Sequence, residues 1–303
     1  MLRITQHRRL FYVFSGIIMT ASLASWLTWG LKPGIDFTGG SMLELEFSGE
    51  RASTEEIVSA AGESIASNEV TAQPLGEDGL VLRMPPIDEN AHQELLKDLK
   101  AGFEKDGATL TEKRFESVGP VIGEELRKKT IYAVVTAILA IVLYITYVFR
   151  KVSHPVASWK YGACTIVALA HDVIIPVGVF SALGHFHDVE VGAWIVTALL
   201  TVLGFSVHDT IVVFDRIREN LAHARRERFE EVVNRSMNET LGRSINTSLT
   251  VLLVLATTYV LGGESIKDFI LIMIIGIAAG TYSSIFVASP LLVSWQLRDA
   301  KKR

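Results

Sequence analysis

An acidic residue, Asp209, lies within a long apolar run that ends in SVHDTIVVFDRIREN, residues 206–220. The run begins near Ala193, so Asp209 is predicted to lie in a membrane-spanning helix. A carboxylate at the centre of such a helix costs about 2.5 to 3.5 kcal/mol. Arg243, which opens the next apolar run from the same side, is the candidate that offsets this cost. We therefore predict a buried ion pair between Asp209 and Arg243.

The energetics of such a pair favour a functional role over a structural one. Desolvation of two buried charges can exceed their mutual attraction, so a buried pair is weak evidence for stability. Ionisable residues inside spanning helices commonly mark ion or proton paths. We expect an external proton to neutralise Asp209, to break its pair with Arg243 and to let the two helices shift.

A second acidic residue, Asp172, lies in the middle of another apolar run, beside His171. It could be a step in a proton path through the membrane. It could equally be structural, bound to a neighbouring Ser or Thr or paired with Lys160 through water. His208 adjoins Asp209 but points about 100° away around the helix, and we interpret it as a packing residue.

The run that follows Arg243 begins with polar residues, among them Asn246, Thr247 and Ser248. They could carry water or protons to Arg243. They could also form hydrogen bonds between helices, as hydroxyl and amide groups often do in membranes. Both interpretations fit the pattern.

Gly276 and Gly280 form a pair of small residues four positions apart in the last apolar run. This spacing lets two helix backbones approach closely. The pair predicts a helix-packing face, whose partner helix could belong to another subunit.

Other groups that could do chemistry have simpler interpretations. His185 and His187 precede Asp188 and Glu190, yet no further ligand spacing supports a metal site, and an exposed loop is the better interpretation. The single cysteine, Cys164, lies in an apolar run and is interpreted as a small apolar residue. The sequence predicts neither a metal nor a cofactor.

The composition is that of a membrane protein. The chain has 303 residues, of which 49% are hydrophobic and 20% charged, and its mean hydropathy is +0.34. A soluble chain of this length would carry more charge and a lower hydropathy. The formal net charge is -4, and neither a basic tail nor an acidic block suggests binding to nucleic acid.

Apolar runs long enough to span a bilayer, about 20 residues, occur six times. They are Leu10–Trp29, Ile131–Phe149, Tyr161–Leu183, Gly192–Phe214, Leu241–Leu261 and Ile266–Trp295. Lys and Arg flank alternate ends of these runs, including both termini of the chain. Because such residues concentrate on the cytoplasmic side, both termini are predicted to be cytoplasmic and the long segment after the first span to be external.

That external segment, residues 31–128, has the pattern of a small folded domain. Strand-like and helical stretches alternate in the order β-α-β-β-α-β, with Thr54 as a predicted N-cap. The order is that of a split βαβ, ferredoxin-like unit. The predicted fold is therefore a membrane all-α six-helix bundle with one external α+β domain. Residues 1–30 form the tail and first span, and residues 129–303 form the other spans, with a cytoplasmic loop at 215–240.

A third motif, GIDFTGGS at residues 34–41, joins the first span to this domain. Its glycines Gly34, Gly39 and Gly40 allow unusual backbone angles where the chain turns, and Asp36 is interpreted as a turn or hinge residue. With VHDTIVVFDRIREN and NRSMNETLGRSINTS (residues 234–248), the motif resembles the SecD/SecF family, and in particular its smaller SecF half. The similarity covers all six spans, the external domain and the three motifs in order.

This resemblance implies a function. It implies membership of the resistance-nodulation-division superfamily, a SecD partner with a matching six-span bundle, and proton-driven assistance to export in the bacterial inner membrane. The implied partners also include the SecYEG translocon, other Sec accessory membrane proteins, unfolded secretory polypeptide and membrane lipid. The resemblance also implies that Asp209 and Arg243 belong to the proton path, and that Asp36 takes part in domain movement. No enzymatic activity is expected.

Two other functions remain open from the sequence. One is a proton-coupled exporter of small molecules from the same superfamily, although the external domain is small for a substrate-collecting region. The other is a purely structural factor that stabilises the translocon. Proton flux that needs Asp209 and responds to unfolded polypeptide would favour assistance to export over both.

Overall fold

The computed structural model describes residues 2–49, 51–104, 109–151, 156–224 and 227–302. The chain forms two compact units, one of Met1–Lys32 with Tyr132–Arg303 and the other of Pro33–Ile131. The elements in chain order are α1 (Arg8–Trp29), α2 (Ile35–Thr38), β1 (Gly40–Ser48), α3 (Thr54–Ser64), β2 (Thr71–Leu75), β3 (Gly79–Met84), α4 (Glu89–Phe103), β4 (Thr109–Val118), α5 (Pro120–Val148), α6 (Ser158–His187), α7 (Trp194–His223), α8 (Phe229–Leu261), α9 (Lys267–Ser283) and α10 (Ser289–Lys302).

Within the described ranges, six helical segments are long and apolar enough to cross a membrane, which confirms the predicted number of spans. They are Thr5–Trp29, Pro120–Val148, Ser158–His187, Trp194–His223, Phe229–Leu261 and Glu264–Ala300. The last segment contains α9 and α10, which are joined by a π-helical turn, Ser284–Ala288. Helices of this kind satisfy every backbone polar group internally, as a bilayer requires.

The predicted loop at 215–240 is largely helical. α7 continues to His223 and α8 starts at Phe229, so only a short connection separates them. The apolar runs end earlier than the helices do. Buried residues such as Ile217, Val233 and Met237 keep the extended helical turns packed on the core.

The helical unit has its core around α6, α7 and α9. Ser25 of α1 donates a hydrogen bond to the carbonyl of Gly178 at 2.7 Å, and Ser181 donates one to the carbonyl of Ser25 at 2.9 Å. These bonds require close contact between α1 and α6, which the missing side chain of Gly178 permits. α8 differs, because none of its described residues beyond Ser248 is buried.

The second unit contains a four-stranded antiparallel sheet with the strand order β2-β3-β1-β4. Its core joins apolar residues of the strands, such as Leu43 and Leu82, to Ile57 of α3 and Leu95 of α4. The strands and helices follow the predicted order β-α-β-β-α-β. The N-cap of α3 is Ser53 rather than Thr54, since the Ser53 hydroxyl accepts a hydrogen bond from the backbone N–H of Glu56 at 3.3 Å.

The GIDFTGGS motif forms a short helical turn that leads into β1. Asp36 lies in the first turn of α2, while Gly39 and Gly40 have positive φ angles of +77° and +133°. Gly34 has an ordinary φ of -79°. The prediction of unusual backbone angles is therefore confirmed at Gly39 and Gly40 and wrong at Gly34.

Gly39→Ala is expected to destabilise the protein by about 1 to 3 kcal/mol, the usual cost of a strained backbone position. A Cβ atom there would lie 2.8 Å from the Cα of Pro120, which is backbone and cannot move aside cheaply. Thermal unfolding of the purified protein measures the change, with Gly119→Ala as the matched control because a Cβ atom there meets nothing within 4 Å. Equal stability of the two variants would contradict this assignment.

Candidate functional site

Asp209 lies on α7 and is nearly fully buried, with 3% of its surface exposed. The hydroxyls of Ser244 and Ser248 from α8 and of Thr281 from α9 lie near its carboxylate. Its Oδ2 atom accepts no hydrogen bond from any described residue, and Ser244 Oγ makes none either. A buried polar atom without a partner is costly. Asp209 therefore has an acceptor oxygen left over for a proton.

The predicted ion pair between Asp209 and Arg243 is not formed in this structure. Among the described residues the two form no ion pair, and Arg243 is exposed and lines a cavity on another side of α8. The helical repeat gives the reason. Ser244 and Ser248 take the face of α8 that meets Asp209, and Arg243, one position earlier, points about 100° away.

Arg243 instead faces a cavity of about 410 Å³ between α7 and α8. The cavity is lined by Val212, Asp215, Arg216, Glu219, Glu239, Thr240 and Arg243. Arg216 forms hydrogen bonds of 2.6 Å with both Glu219 and Glu239 there. Asp215 pairs with Arg218 at 2.5 Å. Arg243 thus lies among ion pairs of other residues rather than against Asp209.

The predicted polar face of α8 divides between two sides of the helix. Ser248 is buried and shares a hydrogen bond of 2.6 Å with Thr281 Oγ1. This bond fits the interpretation as hydrogen bonding between helices. Asn246 and Thr247 are exposed, on the same side as Arg243. His208 is also exposed, so its prediction as a packing residue is wrong.

Asp172 is fully buried and is bound from three directions. Ser206 Oγ of α7 donates to its Oδ2 atom, and Ser283 Oγ of α9 donates to the same oxygen at 2.8 Å. His171 Nδ1 lies 2.9 Å from the Oδ1 atom. The carboxylate therefore ties α6, α7 and α9 together in the middle of the helical unit.

The sequence allowed two kinds of structural partner for Asp172, a neighbouring hydroxyl residue or Lys160, and the structure shows which of them binds it. Hydroxyl groups do bind it, although from neighbouring helices. Lys160 does not, because its ammonium lies 2.6 Å from Asp299 and 3.0 Å from Gln296 of α10.

Small hydroxyl residues connect the surroundings of Asp172 with those of Asp209. Ser206, which binds Asp172, lies one helical turn before Asp209 and Thr210 on α7. Thr210 shares a hydrogen bond of 2.8 Å with Ser284, the first residue of the π-helical turn. We call the whole set the polar layer: His171, Asp172, Ser206, Asp209, Thr210, Ser244, Ser248, Thr281, Ser283 and Ser284. Local π-helical turns are frequent at functional sites.

Sequence reasoning missed Ser206 and Ser244 as members of the polar layer. Both have a hydroxyl residue four positions later, Thr210 and Ser248, in an otherwise apolar helix. This spacing places each pair on one helix face. The signal was present, but it does not specify which face meets a carboxylate.

Gly276 and Gly280 pack against α7 of the same chain. A Cβ atom on Gly276 would lie 2.5 Å from Cγ2 of Val202, and one on Gly280 would lie 2.9 Å from Cβ of Ser206. Close helix packing is therefore observed, and its partner is internal rather than another subunit. The contact also holds Ser206 beside Asp172.

Gly276→Ala is expected to destabilise the helical unit by about 1 to 3 kcal/mol, as overpacking usually does. The stiff side chain of Val202 cannot turn away from the added methyl group. Unfolding in detergent measures the loss, and adding Val202→Ala should recover part of it. Gly204→Ala is the control, since a Cβ there meets nothing within 4 Å. Equal stability of the Gly276 and Gly204 variants would contradict the packing.

The last turn of α6 and the residues that follow it contact α1 and its end. The His185 ring stacks on Trp29 with 4.7 Å between centroids. Lys32 Nζ lies 2.9 Å from Asp188 and 3.8 Å from Glu190. These contacts fasten the end of α6 to the end of α1.

Fold and site together define a class of protein. Of the apolar helices, α6, α7, α8 and α9 contribute to a layer that contains two buried carboxylates, and ionisable residues in such positions mark ion or substrate paths as a rule. The protein is a multi-span α-helical membrane protein of the transport type.

Comparison with known proteins gives the family. A sequence profile described as "Protein export membrane protein SecD/SecF, C-terminal" matches residues 98–298, and the "SecD/SecF GG Motif" matches residues 24–50. The chain belongs to the SecD/SecF family of protein export membrane proteins. That family is defined by export rather than by a chemical reaction, and the chain is not an enzyme, as predicted.

Relatives match over almost the whole chain. Protein translocase subunit SecF of Thermobaculum terrenum is 45% identical, covering 99% of this chain and 95% of the relative. SecF of Anaerolinea thermophila is 38% identical, covering 98% and 94%.

Solved structures of SecDF show the same fold. The translocon-associated SecDF of Thermus thermophilus superposes with a TM-score of 0.82 at 34% identity, over 100% of this chain. A SecDF structure in a super-membrane-facing form gives a TM-score of 0.69 at 33% identity, over 99% of this chain. This chain spans 39% of the length of each SecDF chain.

Proposed function

We propose that this chain is a membrane subunit of the Sec protein-export machinery, which with SecD uses the proton gradient to assist polypeptide translocation. The observation that carries the proposal is the buried carboxylate of Asp209, whose Oδ2 atom has no partner among the described residues. It lies in a motif that the family resemblance assigns to the proton path.

In the proposed mechanism an external proton reaches Asp209, with Asp172 as a further step of the path. Ser206, bound to Asp172, and Ser248, beside Asp209, supply hydroxyls on the way. Arg243 pairs with the ionised Asp209 in a different state of the cycle from the one described. Neutralisation of the carboxylate separates the pair, and α7 and α8 shift.

We place the SecD partner on the exposed polar side of α7 and α8. His208, Arg243, Asn246, Thr247 and Thr250 are exposed on these two helices. A charged or polar side chain that faces lipid is expensive, so a partner helix is a better neighbour than hydrocarbon. A relative supports such a partner. SecDF of Thermus thermophilus is similar to this chain over 38% of the SecDF length, so most of the SecDF chain lies outside the match.

We further propose a bacterial inner-membrane location with both termini cytoplasmic. The Lys- and Arg-rich ends described above support this orientation. Residues 31–128 then form an external ferredoxin-like domain, which the strand order β2-β3-β1-β4 and the β-α-β-β-α-β order support. Movement of this domain would pull or hold the emerging polypeptide beyond the SecYEG channel.

Reconstitution of the chain with SecD in vesicles, with and without SecYEG and an unfolded secretory polypeptide, tests the proposal. Proton flux that rises when the polypeptide is present, and export that rises with the imposed gradient, are the expected results. Flux that responds to small drugs instead would favour the exporter. Export that is assisted without any proton flux would favour a structural factor.

A further inference from the structure

The first residues of the chain form a strap across the beginning of α8. The backbone N–H of Leu2 donates to Asn238 Oδ1 at 2.7 Å, and the Leu2 carbonyl accepts from Nδ2 of both Asn234 and Asn238 at 2.9 Å. The backbone N–H of Thr5 donates to Asn234 Oδ1 at 3.2 Å. Two asparagine side chains therefore bind a backbone segment that is more than 200 positions away in sequence.

Further contacts fix the strap, which we define as residues 2–8. Arg8 forms an ion pair with Glu230 on the first turn of α8. Ile4 and Thr5 are buried, at 4% and 1% exposure, and Ile4 belongs to the main core of the helical unit. The strap is thus packed as well as hydrogen-bonded.

The opposite side of the same stretch of α8 is bound to α7. Arg216 Nε donates to Glu239 Oε2 at 2.6 Å, and Asn220 Nδ2 donates to the same oxygen at 2.8 Å. Asn220 Nδ2 also lies 2.9 Å from Ser236 Oγ, to which it donates. The family motif NRSMNE, residues 234–239, supplies bonds to both sides.

The rest of α8 is held differently. No described residue from Leu249 to Leu261 is buried. Arg243 lies one turn after Glu239, at the border between the clamped beginning of α8 and its loosely packed end. A shift of the end of α8 would therefore turn about the clamped part.

We propose that residues 229–240 are a fixed base for α8, and that Asn234 and Asn238 are positioning residues that set where Arg243 stands relative to Asp209. The inference rests on the proposed function, because it assigns the base a role in proton coupling. By binding the strap, the two asparagines fix the beginning of α8 and so the position of Arg243, and they do not contact the Asp209 carboxylate themselves.

A removable bridge tests the base. In a Cys164→Ala background, Arg8→Cys with Glu230→Cys breaks the ion pair, and a bifunctional methanethiosulfonate then rejoins the strap to α8. Proton flux is measured in vesicles that contain the full chain and SecD. Without the reagent, the external proton concentration at half-maximal flux should change by roughly threefold, the effect of losing one partly exposed ion pair. The bridge should restore it.

Glu124→Cys with Lys128→Cys is the matched control, since this exposed pair lies four positions apart and belongs neither to the strap nor to the base. It should behave like the parent with and without the reagent. Asn234→Ala with Asn238→Ala should reproduce the shift at a normal level of folded protein. A loss of maximal flux alone, in proportion to folded protein, would indicate a structural role and overturn the proposal.

Two other results would also overturn it. The bridge would lower flux further if the strap had to move, and the unbridged variant would match the parent if the strap did not matter. Asp209→Asn, measured in the same vesicles, distinguishes failure of the proposed function from failure of the proposed base. If it leaves flux intact, the proposed function fails. If it abolishes flux while the strap variants behave like the parent, only the base fails.

Discussion

Asp209→Asn is expected to abolish the stimulation of export by a proton gradient. The amide keeps the size and polarity of the carboxylate but cannot bind and release a proton at working pH. The stimulated component should fall by about two orders of magnitude or to background, the range that proton-transferring side chains contribute. Export into vesicles, with and without an imposed gradient, measures it.

The control for this prediction is Asp188→Asn. Asp188 has a left-handed backbone conformation with φ of 57°, which asparagine also adopts readily, and it pairs with Lys32 outside the polar layer. This variant should keep its stimulation. Stimulation that survives in Asp209→Asn, at a normal protein level, would remove Asp209 from the proton path.

Asp172→Ala is expected to cause the largest loss of stability, about 3 to 5 kcal/mol, as for removal of one partner from a buried charged network. Ser206, Ser283 and His171 would each lose a partner in a site that is closed to solvent. Unfolding in detergent measures the loss.

Asp172→Asn is the matched variant, because its amide oxygen can still accept from the two serines. We expect a clearly smaller loss of stability than for alanine. If both variants unfold like the parent, the carboxylate does not hold α6, α7 and α9 together. Residual proton flux in a stable Asp172→Asn protein would then show whether Asp172 also belongs to the proton path.

The six spans and the order of elements in the second unit were predictable because each rests on local patterning. An apolar run of about 20 residues has few alternatives to a spanning helix. Alternation along residues 41–48 and 109–118 likewise fixes which side of a strand is buried. Helix ends were less predictable, since α7 and α8 continue beyond their apolar runs on the strength of tertiary packing around Ile217 and Met237.

The sequence predicted which types of residue form the site, but it did not predict which of them lie next to Asp209. An uncompensated charge is costly in the hydrocarbon of the bilayer, which suggested that Asp209 needs Arg243. This argument fixes the depth of the two residues but not the direction in which a side chain points. Rotation of α8 decides that direction, and Ser244 and Ser248 occupy the face toward Asp209. The packing role of Gly276, by contrast, was predicted correctly. Small residues at this spacing predict close contact whichever helix supplies the partner.

The central claim is that Asp209 is the group that takes up the external proton. Infrared difference spectroscopy of the reconstituted chain with SecD, recorded as the external pH is lowered, detects a carboxylate that becomes a carboxylic acid. We predict a carboxylic-acid carbonyl band that is lost in Asp209→Asn and kept in Asp188→Asn. A band that persists in Asp209→Asn and disappears in Asp172→Asn would contradict the account.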